Sequence, residues 1–461
     1  MSGAPVAVAG ARVGVLGLGR SGRGVARLLA ARGAQVYASD SSSGPAARAA
    51  AGELSRGGIE AEAGHHDLRR LASCDWIVTS PGIPPLAPVF EDPGVAGRTI
   101  VSEIEVASWF AEAPIAAVTG TNGKTTTTAL LGEVVKAGGI RASVAGNIGR
   151  AFSEAVLEDP APDWFVIEVS SFQLARIRSF RPRVAVVLNL TPDHLDVYPS
   201  MAAYAADKAR IAENMGAGDS LCLNAEDRAL DAFGAERPVE RHYFHRRQSV
   251  ERGAWVEDGW IVVSGETDSG RVLPAAELGI PGAHNLQNAL AATLAGSLIG
   301  VPRTEIARAL TEFRGVPHRL ETIAEIGGVR FVNDSKATNV DSALVALEAF
   351  ATPLVVILGG RHKQAPYAPL APALAARGRR VLAIGEAAGR IAAELGASVE
   401  VEEVETLESA VRRAAEVALP GDVVLLSPAC SSYDQFANFE ERGERFRELV
   451  RGLGARAEVR R

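Results

Sequence analysis

The 461-residue sequence has few cysteines, few aromatic residues and no excess of positive charge. Its three cysteines, Cys74, Cys222 and Cys430, lie far apart and include no CxxC pair. They therefore do not form the pattern of a disulfide framework or a zinc site, which fits a reducing compartment. The chain has 48 basic and 55 acidic residues, and its net charge is -7. This balance argues against nucleic acid as a main partner, because neutralising phosphates requires a basic surface.

Long apolar runs are also absent. No uncharged apolar stretch of about 18 residues occurs, so no membrane span is expected. The N-terminal segment lacks a basic region followed by a long apolar run and leads directly into a strand-like segment. This pattern predicts no signal peptide. Together with the cysteine usage, it predicts a cytoplasmic protein.

Short apolar runs ending in Gly or Ser alternate with longer helical patterns along most of the chain. This alternation is typical of βαβ units and parallel sheets, so the predicted fold class is α/β. The chain is too long for one core. Two changes of pattern predict three domains, at 1–112, 113–315 and 316–461. Closely spaced turn residues between about 240 and 275 predict an antiparallel insertion.

The clearest motif is a glycine-rich loop between an apolar strand and a helical pattern, Gly120-Thr121-Asn122-Gly123-Lys124-Thr125-Thr126. Glycines let backbone N–H groups turn toward phosphate oxygens, and a helix N-terminus adds partial positive charge. We predict an ATP site in which Lys124 reaches the β- and γ-phosphates and Thr125 ligates Mg²⁺. The spacing departs from G-x-x-x-x-G-K-[ST], because Gly120 lies only three residues before Gly123. A strand-to-helix turn with a surface lysine is the alternative.

Two later strand ends carry polar side chains. Glu168 ends an apolar strand, and His194 follows the next strand. Open α/β sheets bind ligands at the carboxyl ends of parallel strands, so Glu168 is a candidate second Mg²⁺ ligand and His194 lies on the same rim. A lone histidine there is more often a structural hydrogen-bonding residue, and the succession of site-like strand ends favours function. Taken alone, Lys208 is a solvated lysine on a helix.

A second glycine loop precedes the first in sequence. Residues 17–22 match G-x-G-x-x-G after a strand, and Asp40 follows about twenty residues later. Alone, this pattern predicts an NAD(P)-binding oxidoreductase, which would leave the Lys124 loop unexplained. We interpret it as holding the diphosphate of a nucleotide-linked substrate. The alternative is a turn that only packs a helix on a strand.

In their order along the chain, the phosphate loop and the segments EVSSFQL, NLTPDHLD, GAHNLQNALAA, NDSKATN and SPACSSYDQF resemble the Mur ligase family. The resemblance covers nearly the whole chain. It implies a three-domain Mur ligase architecture, with a Rossmann-like N-terminal domain for the UDP-substrate, a central P-loop ATPase-type domain and a Rossmann-like C-terminal domain for the amino acid. NDSKATN and SPAC point to members that add D-glutamate to UDP-N-acetylmuramoyl-L-alanine through an acyl phosphate, using ATP, in peptidoglycan synthesis.

The resemblance also implies which residues hold each ligand. The UDP-substrate would contact Arg20, Ser21, Asp40, Ser41, Ser80, Pro81, Gly82 and Asn147. ATP would contact the phosphate loop and, around adenine and ribose, Asn285, Arg319 and Asp334. Two Mg²⁺ ions would be held by Thr125, Glu168, His194 and a carbamylated Lys208. The catalytic set would be Lys124, Glu168, His194 and Lys208. D-glutamate would contact Lys336, Thr338, Lys363, Ser432 and Phe439. A carbamate offers Mg²⁺ the anionic oxygens that an ammonium lacks.

Two positions depart from the family pattern. Arg361-His362-Lys363-Gln364 follows two glycines where Gly-Gly-x-Asp-Lys-Gly is more usual, and Tyr433 stands where Leu, Phe or Trp is commoner. The first of these departures flanks Lys363. The alternatives are another Mur ligase or a folylpolyglutamate-synthase-like amide ligase, an NAD(P)-binding oxidoreductase, and a nucleotide-binding regulator without catalysis. We expect a monomer.

Overall fold

The computed structural model describes residues 7–83, 87–158, 160–194, 197–265, 268–280, 282–362 and 365–459. The chain divides into two compact units, Met1–Phe313 and Arg314–Arg461. The first unit contains two sheets and the second contains one. The predicted α/β class with mostly parallel strands is confirmed. The domain boundaries after residues 112 and 315 stay predictions.

The first sheet is entirely parallel. Its strands are β1 (Arg12–Leu16), β2 (Gln35–Asp40), β3 (Glu60–Ala63), β4 (Trp76–Thr79) and β5 (Thr99–Ser102). Its helices are α1 (Arg20–Ala31), α2 (Pro45–Arg56), α3 (Leu68–Ser73), α4 (Pro93–Ala96) and α5 (Glu103–Trp109). The strand order is β3-β2-β1-β4-β5. The order reverses between β1 and β4, and open sheets bind ligands in the crevice at such a point. The glycine loop after β1 and Ser80 after β4 lie there.

The central sheet carries the phosphate loop. Its strands are β6 (Ile115–Thr119), β7 (Ala142–Gly146), β8 (Trp164–Glu168), β9 (Val184–Val187), β10 (Ser220–Asn224), β11 (Glu240–His245), β12 (Gly253–Glu257), β13 (Trp260–Val263) and β14 (Gly270–Pro274). Its helices are α6 (Lys124–Ala137), α7 (Phe152–Ala155), α8 (Ser171–Leu174), α9 (Met201–Ala209), α10 (Ala283–Ile299) and α11 (Arg303–Glu312). The order is β14-β13-β12-β11-β10-β9-β6-β8-β7. The neighbours β9, β6 and β8 are parallel, so their carboxyl ends share one edge.

The predicted antiparallel insertion between 240 and 275 is wrong in its first part. Strand β11 pairs parallel with β10, and β12 pairs parallel with β11, so both extend the central sheet. Only β12, β13 and β14 form an antiparallel meander. Asp258 and Gly259 have positive φ angles between β12 and β13, as a tight two-residue hairpin turn requires. Turn residues mark the hairpin in the sequence, whereas parallel pairing leaves no such local mark.

The second unit contains the third sheet. Its strands are β15 (Glu321–Ile326), β16 (Val329–Asn333), β17 (Leu354–Gly359), β18 (Gly378–Ile384), β19 (Val401–Glu403) and β20 (Val423–Leu426). Its helices are α12 (Val340–Glu348), α13 (Ala371–Arg377), α14 (Ala388–Leu395), α15 (Leu407–Val417) and α16 (Phe439–Val459). The order is β15-β16-β20-β17-β18-β19, and only β15 and β16 are antiparallel. Strands β17 and β20 are wholly buried. Such burial is expected for apolar strands at the centre of a parallel sheet, because both faces of the sheet are covered.

Short 3₁₀ helices complete the regular structure, at Pro88–Phe90, Arg210–Ala212, Arg228–Leu230, Ala275–Glu277, Ala368–Leu370 and Gly385–Ala387. Within the described part of the chain, no helix combines the length and the apolar character that crossing a bilayer requires.

The buried carboxylate of Glu105 joins α5 to the segment at residues 178–180, which precedes β9. Glu105 accepts hydrogen bonds from Trp109 Nε1 (2.8 Å) and Ser179 Oγ (2.6 Å). It also accepts from the backbone N–H groups of Arg178 (2.9 Å), Ser179 (2.9 Å) and Phe180 (2.8 Å). The Glu105 side chain is fully buried. These five donors compensate the desolvation of its charge.

Replacing Glu105 with alanine should lower the free energy of unfolding by about 3–5 kcal/mol, because buried donors would lose their acceptor. Denaturant unfolding of the full chain measures the change. The matched control is Glu112→Ala, which truncates an exposed glutamate shortly after α5 and should change stability by less than about 0.5 kcal/mol. Equal unfolding midpoints for the two variants would contradict this role for Glu105.

Candidate active site

The phosphate loop lies between β6 and α6, so the strand–loop–helix context predicted for it is confirmed. Gly120 and Gly123 have φ angles of 147° and 85°. A Cβ atom on Gly123 would lie 2.4 Å from Asn288 Oδ1, and one on Gly120 would lie 2.9 Å from Leu188 Cβ. Both positions therefore require glycine for backbone conformation and for space. The loop backbone can approach a ligand closely for the same reason.

Asn189, which the sequence did not single out, holds this loop in shape. Its Oδ1 accepts hydrogen bonds from the N–H groups of Thr121 (3.1 Å) and Asn122 (2.8 Å), and its Nδ2 donates to Asn122 O (3.1 Å). Thr121 Oγ1 also donates to Thr191 O at 3.1 Å. The loop is thus tied to the segment after β9 that carries His194. The sequence signal for Asn189 is its place at the start of the NLTPDHLD segment, five residues before His194.

Two lysines meet at one carbonyl oxygen of the loop. Lys124 Nζ donates to Gly120 O (3.0 Å) and Thr121 O (2.7 Å), and Lys208 Nζ donates to the same Gly120 O (2.8 Å). Lys208 is only 1% exposed, and its Nζ lies 4.6 Å from the centroid of the Tyr204 ring. The alternative of a solvated helix lysine is therefore wrong. Burial, aided by the charge of Lys124, holds the pKa of Lys208 well below its usual value.

Glu168 ends β8 and is buried. Its Oε1 accepts a hydrogen bond from Asn147 Nδ2 at 2.9 Å. Its Oε2 has no hydrogen-bond partner within the described ranges. An unsatisfied carboxylate oxygen is costly to bury, and a bound cation would compensate it. Asn147, predicted to contact the UDP-substrate, is therefore placed beside the predicted metal ligand.

His194 lies on the loop after β9, and its side chain is 44% exposed. Its φ angle of 55° is uncommon for a residue other than glycine and is frequent at functional sites. Its Nε2 lies 3.5 Å from Asp193 Oδ2, and its ring centroid lies 4.9 Å from that of Phe172. Phe172 follows Glu168 by four residues on α8. Glu168 at the carboxyl end of β8 and His194 after β9 therefore lie at the same edge of the central sheet, where β6 separates the two strands.

The residues at this edge can be tested for Mg²⁺ by their donor atoms. Nowhere in the part of the chain that the structure describes do three or more His, Cys, Asp or Glu side chains cluster as a metal site. The predicted ligands are one carboxylate, one imidazole, the buried hydroxyl of Thr125 and the modified Lys208. Mg²⁺ commonly takes one or two protein ligands and completes its shell with water and phosphate oxygens. The unsatisfied oxygen of Glu168 and the hydroxyl of Thr125 fit that mode.

The first glycine loop is built around Asp40. Its Oδ2 accepts from Leu18 N and its Oδ1 from Ser42 N, at 2.8 and 2.9 Å. Ser80 Oγ donates to Gly17 O at 3.4 Å. Asp40 and Ser80 therefore both contact the glycine loop, and Ser41 directly follows Asp40 in the sequence. Arg20, at the start of α1 beside Ser21, donates from Nη1 to Gly149 O at 2.5 Å.

A cleft opens beside Ser80, and residues of α8 and of the segment after it form part of its lining. The lining residues are Thr79, Ser80, Pro81, Ile83, Phe90 and Ser102 on one side, and Phe172, Gln173, Ala175 and Arg176 on the other. Gly82 lies between Pro81 and Ile83 in the sequence. Gln173 Oε1 accepts from Ser170 N (2.9 Å) in a capping box at α8, which leaves Gln173 Nε2 buried without a described partner. A Ser-x-x-Gln capping box is by itself a structural feature of a helix start.

In the second unit, Asp334 follows β16 and is buried. It accepts hydrogen bonds from Leu320 N (3.2 Å) and Ser427 Oγ (2.9 Å). Burial raises the pKa of Asp334 to about 7, and the nearby Arg319 opposes that rise. The structure therefore brings Arg319 and Asp334 together. Asn285, in the first unit, accepts from Asn288 Nδ2 at 3.3 Å.

Arg442 organises the loops predicted to bind the amino acid. Its buried guanidinium donates to Ser335 Oγ (2.9 Å), Ser335 O (2.8 Å) and Cys430 O (3.3 Å). Burial lowers the pKa of Arg442 to about 10. It ties the loop of Lys336 and Thr338 to the loop of Ser432. Lys336 Nζ lies 5.5 Å from the centroid of the Phe439 ring. Lys363 lies outside the described residues.

Comparison with protein families gives a match in each third of the chain. The matching descriptions are the Mur ligase MurD-like N-terminal domain over residues 11–102, the Mur ligase middle domain over residues 118–296 and the Mur ligase glutamate ligase domain over residues 318–430. Together these matches cover well over half of the chain.

Individual relatives extend over nearly the full length. The UDP-N-acetylmuramoylalanine–D-glutamate ligase of Salinibacter ruber is 44% identical over 453 residues, covering 96% of this chain and 98% of the relative. Among solved structures, UDP-N-acetylmuramate-alanine ligase from Thermotoga maritima gives a TM-score of 0.62 at 20% identity, covering 96% and 99% of the two chains. A MurF ligase from Thermotoga maritima in complex with ADP gives 0.57 at 17% identity, covering 84% and 96%. At these identities the structures show a shared fold.

Proposed function

The chain belongs to the Mur ligase family, and from this premise we propose that it joins D-glutamate to UDP-N-acetylmuramoyl-L-alanine in an ATP-dependent reaction of peptidoglycan synthesis. One observation carries the chemistry. Lys124 and the buried Lys208 meet at Gly120 O of a glycine-shaped phosphate loop. The choice of D-glutamate and of the nucleotide substrate is supported by the name of the Salinibacter ruber relative.

ATP binds through its phosphates to the loop at the N-terminus of α6. The loop residues are Gly120, Thr121, Asn122, Gly123, Lys124, Thr125 and Thr126. Backbone N–H groups and the helix dipole attract the phosphates, and Lys124 moves from the loop carbonyls to the phosphate oxygens. Asn285, Arg319 and Asp334 contact adenine and ribose.

Thr125, Glu168, His194 and a carbamylated Lys208 would hold Mg²⁺. When bound, the metal neutralises charge on the transferring phosphoryl group. The lowered pKa of Lys208 supports carbamylation, because the neutral amine is the form that attacks CO₂. The new N–C bond converts the amine and CO₂ into a carbamate and releases one proton. The carbamate would put a negative charge where the neutral amine had none, which would favour binding of the dication.

The reaction proceeds in two transfers. The alanyl carboxylate attacks the γ-phosphorus of ATP, which forms the acyl phosphate and releases ADP. The amine of D-glutamate then attacks the acyl carbon, loses a proton and displaces phosphate to leave the amide. Lys124 neutralises charge on the γ-phosphoryl oxygens as they rearrange. The acyl phosphate reacts with water, so the site must exclude water during the second transfer.

The two other substrates are bound by different parts of the chain. The nucleotide-linked substrate contacts Arg20, Ser21, Asp40, Ser41, Ser80, Pro81, Gly82 and Asn147, and Gln173 adds a buried amide donor. D-glutamate contacts Lys336, Thr338, Lys363, Ser432 and Phe439. Lysine ammonium and hydroxyl groups suit its two carboxylates, since charge-assisted hydrogen bonds bind carboxylates most strongly. Arg442 holds two of these loops in their relative positions.

Product analysis tests the proposal. Purified protein with ATP, Mg²⁺, UDP-N-acetylmuramoyl-L-alanine and D-glutamate should yield one ADP and one phosphate per molecule of amide product, identified by mass. Replacing D-glutamate with L-glutamate, glycine or meso-diaminopimelate should give no comparable product. Product formation with one of these alone would identify a different ligase of the same family. No ADP release with the complete mixture would refute the proposal, and a change in nicotinamide absorbance would favour the oxidoreductase alternative.

A further inference from the structure

Arg176 brings a positive charge to the cleft beside Ser80. Arg176 lies just after α8, and its guanidinium is 5.3 Å from the centroid of the Phe90 ring. Among the described residues, no carboxylate comes within 4.0 Å of its nitrogens. Asp207 and Arg210 are the charged neighbours that act on it from farther away, with opposite effects. A half-buried cation with no ion-pair partner is costly unless a ligand compensates it.

The backbone around Arg176 is fixed from the first sheet. Ser102 N, at the end of β5, donates to Arg176 O at 3.0 Å. Two residues farther on, the N–H groups of Arg178, Ser179 and Phe180 wrap Glu105. Arg176 is thus held at a junction between the two sheets of the first unit. Its position in the cleft results from contacts that the sequence pattern alone does not predict.

The other polar groups of the cleft also lack partners of their own. Gln173 Nε2 and Ser102 Oγ are buried and have no hydrogen-bond partner in the described structure. An amide N–H₂ and a guanidinium are donors only, and a hydroxyl can donate. Three such groups on the walls of one cleft suit a ligand that presents several acceptor oxygens. The cleft adjoins the first glycine loop, because Ser80 Oγ bonds Gly17 O.

We propose that Arg176 is a further binding residue for the nucleotide-linked substrate, contacting an anionic oxygen of its diphosphate or of its carboxylate. This inference rests on the proposed function for the identity of the substrate. Diphosphate and carboxylate share the chemistry that a guanidinium recognises, two oxygens in one plane that accept parallel N–H bonds. Arg176 also stacks over Phe90, so arginine offers this site more than charge alone.

Steady-state kinetics test the role of Arg176. Arg176→Gln should raise the KM for UDP-N-acetylmuramoyl-L-alanine about tenfold, because one charge-assisted contact would be lost. The kcat and the KM values for ATP and D-glutamate should change by less than about twofold. Arg176→Lys, which keeps the charge without the planar fork, should recover part of the loss. The matched control is Arg178→Gln, which changes an exposed side chain outside the cleft and keeps the backbone N–H that Glu105 uses. It should behave like the unsubstituted protein.

Calorimetric binding distinguishes the two anionic groups. UDP-N-acetylglucosamine has the diphosphate but no carboxylate. Weaker binding of this compound to Arg176→Gln would place Arg176 at the diphosphate. Unchanged binding of it, with weaker binding of UDP-N-acetylmuramoyl-L-alanine, would place Arg176 at the carboxylate. Both results support the proposal.

Other outcomes overturn it. Equal affinity of Arg176→Gln and the unsubstituted protein for UDP-N-acetylmuramoyl-L-alanine would show that Arg176 does not bind this substrate. An equal rise in KM for all three substrates would indicate a general structural defect instead. Calorimetry measures binding without turnover, so it tests Arg176 separately from the proposed function. If the protein bound UDP-N-acetylmuramoyl-L-alanine but formed no product, the proposed function would be refuted. The measured affinities would still decide whether Arg176 binds this substrate.

Discussion

Replacing Lys124 with methionine should lower the kcat for ADP release about 10²–10³-fold, measured with all three substrates saturating. Methionine keeps the length of the side chain and removes the charge. Lys124 is the lysine whose Nζ already lies on the phosphate loop, at Gly120 O and Thr121 O. Without that charge, the γ-phosphoryl oxygens would lose a cation in a site partly shielded from water, where electrostatic stabilisation is strong.

The matched control is Lys136→Met on the same helix. Lys136 lies in the last turn of α6, is exposed and pairs with Glu133 at 2.8 Å. Surface pairs of this kind contribute little, so kcat should change by less than about twofold. Equal turnover in the two variants would remove Lys124 from the catalytic set. Circular dichroism of both variants would show whether the folded structure is retained.

The parts of the site that the sequence predicted are those whose determinants are local. The phosphate loop follows from two glycines between an apolar strand and a helical pattern, and the structure places the loop between β6 and α6. The three-domain Mur ligase architecture, implied by motifs in a fixed order, is confirmed by three family matches in the same order. Residue roles at the site stay predictions.

The residues that the sequence analysis missed act over long separations along the chain. Asn189 shapes the phosphate loop through Asn122, which lies 67 residues earlier. Arg442 joins loops through Ser335, which lies 107 residues earlier. Neither residue belongs to a local pattern that indicates its partner. An arginine on an amphipathic helix is normally solvated, so only the packing of α16 reveals that Arg442 is buried.

Lys208 is another residue whose surroundings no local sequence pattern indicates. Its helical pattern is compatible with a solvated face, whereas the structure buries it against Tyr204 and Gly120 O.

Lys208→Met should lower kcat at least about 10²-fold, because the site would lose an anionic ligand for Mg²⁺. Lys208→Arg should be equally impaired, since a guanidinium cannot form the carbamate. An arginine variant with normal activity would show that charge or packing at Lys208 is sufficient.

The dependence on CO₂ separates carbamylation from a purely structural role for Lys208. Carbamate forms from the neutral amine, and the lowered pKa leaves more neutral Lys208 at pH 7 than an exposed lysine has. As the pH falls through that pKa, protonation removes the neutral amine and the carbamate loses CO₂. Activity should therefore decline on the acid side and in CO₂-depleted buffer, and added bicarbonate should restore it. With ¹³C-labelled bicarbonate, a carbamate signal should appear in the unsubstituted protein and be absent from Lys208→Met. An equal ¹³C signal in both proteins would place the carbamate on another residue.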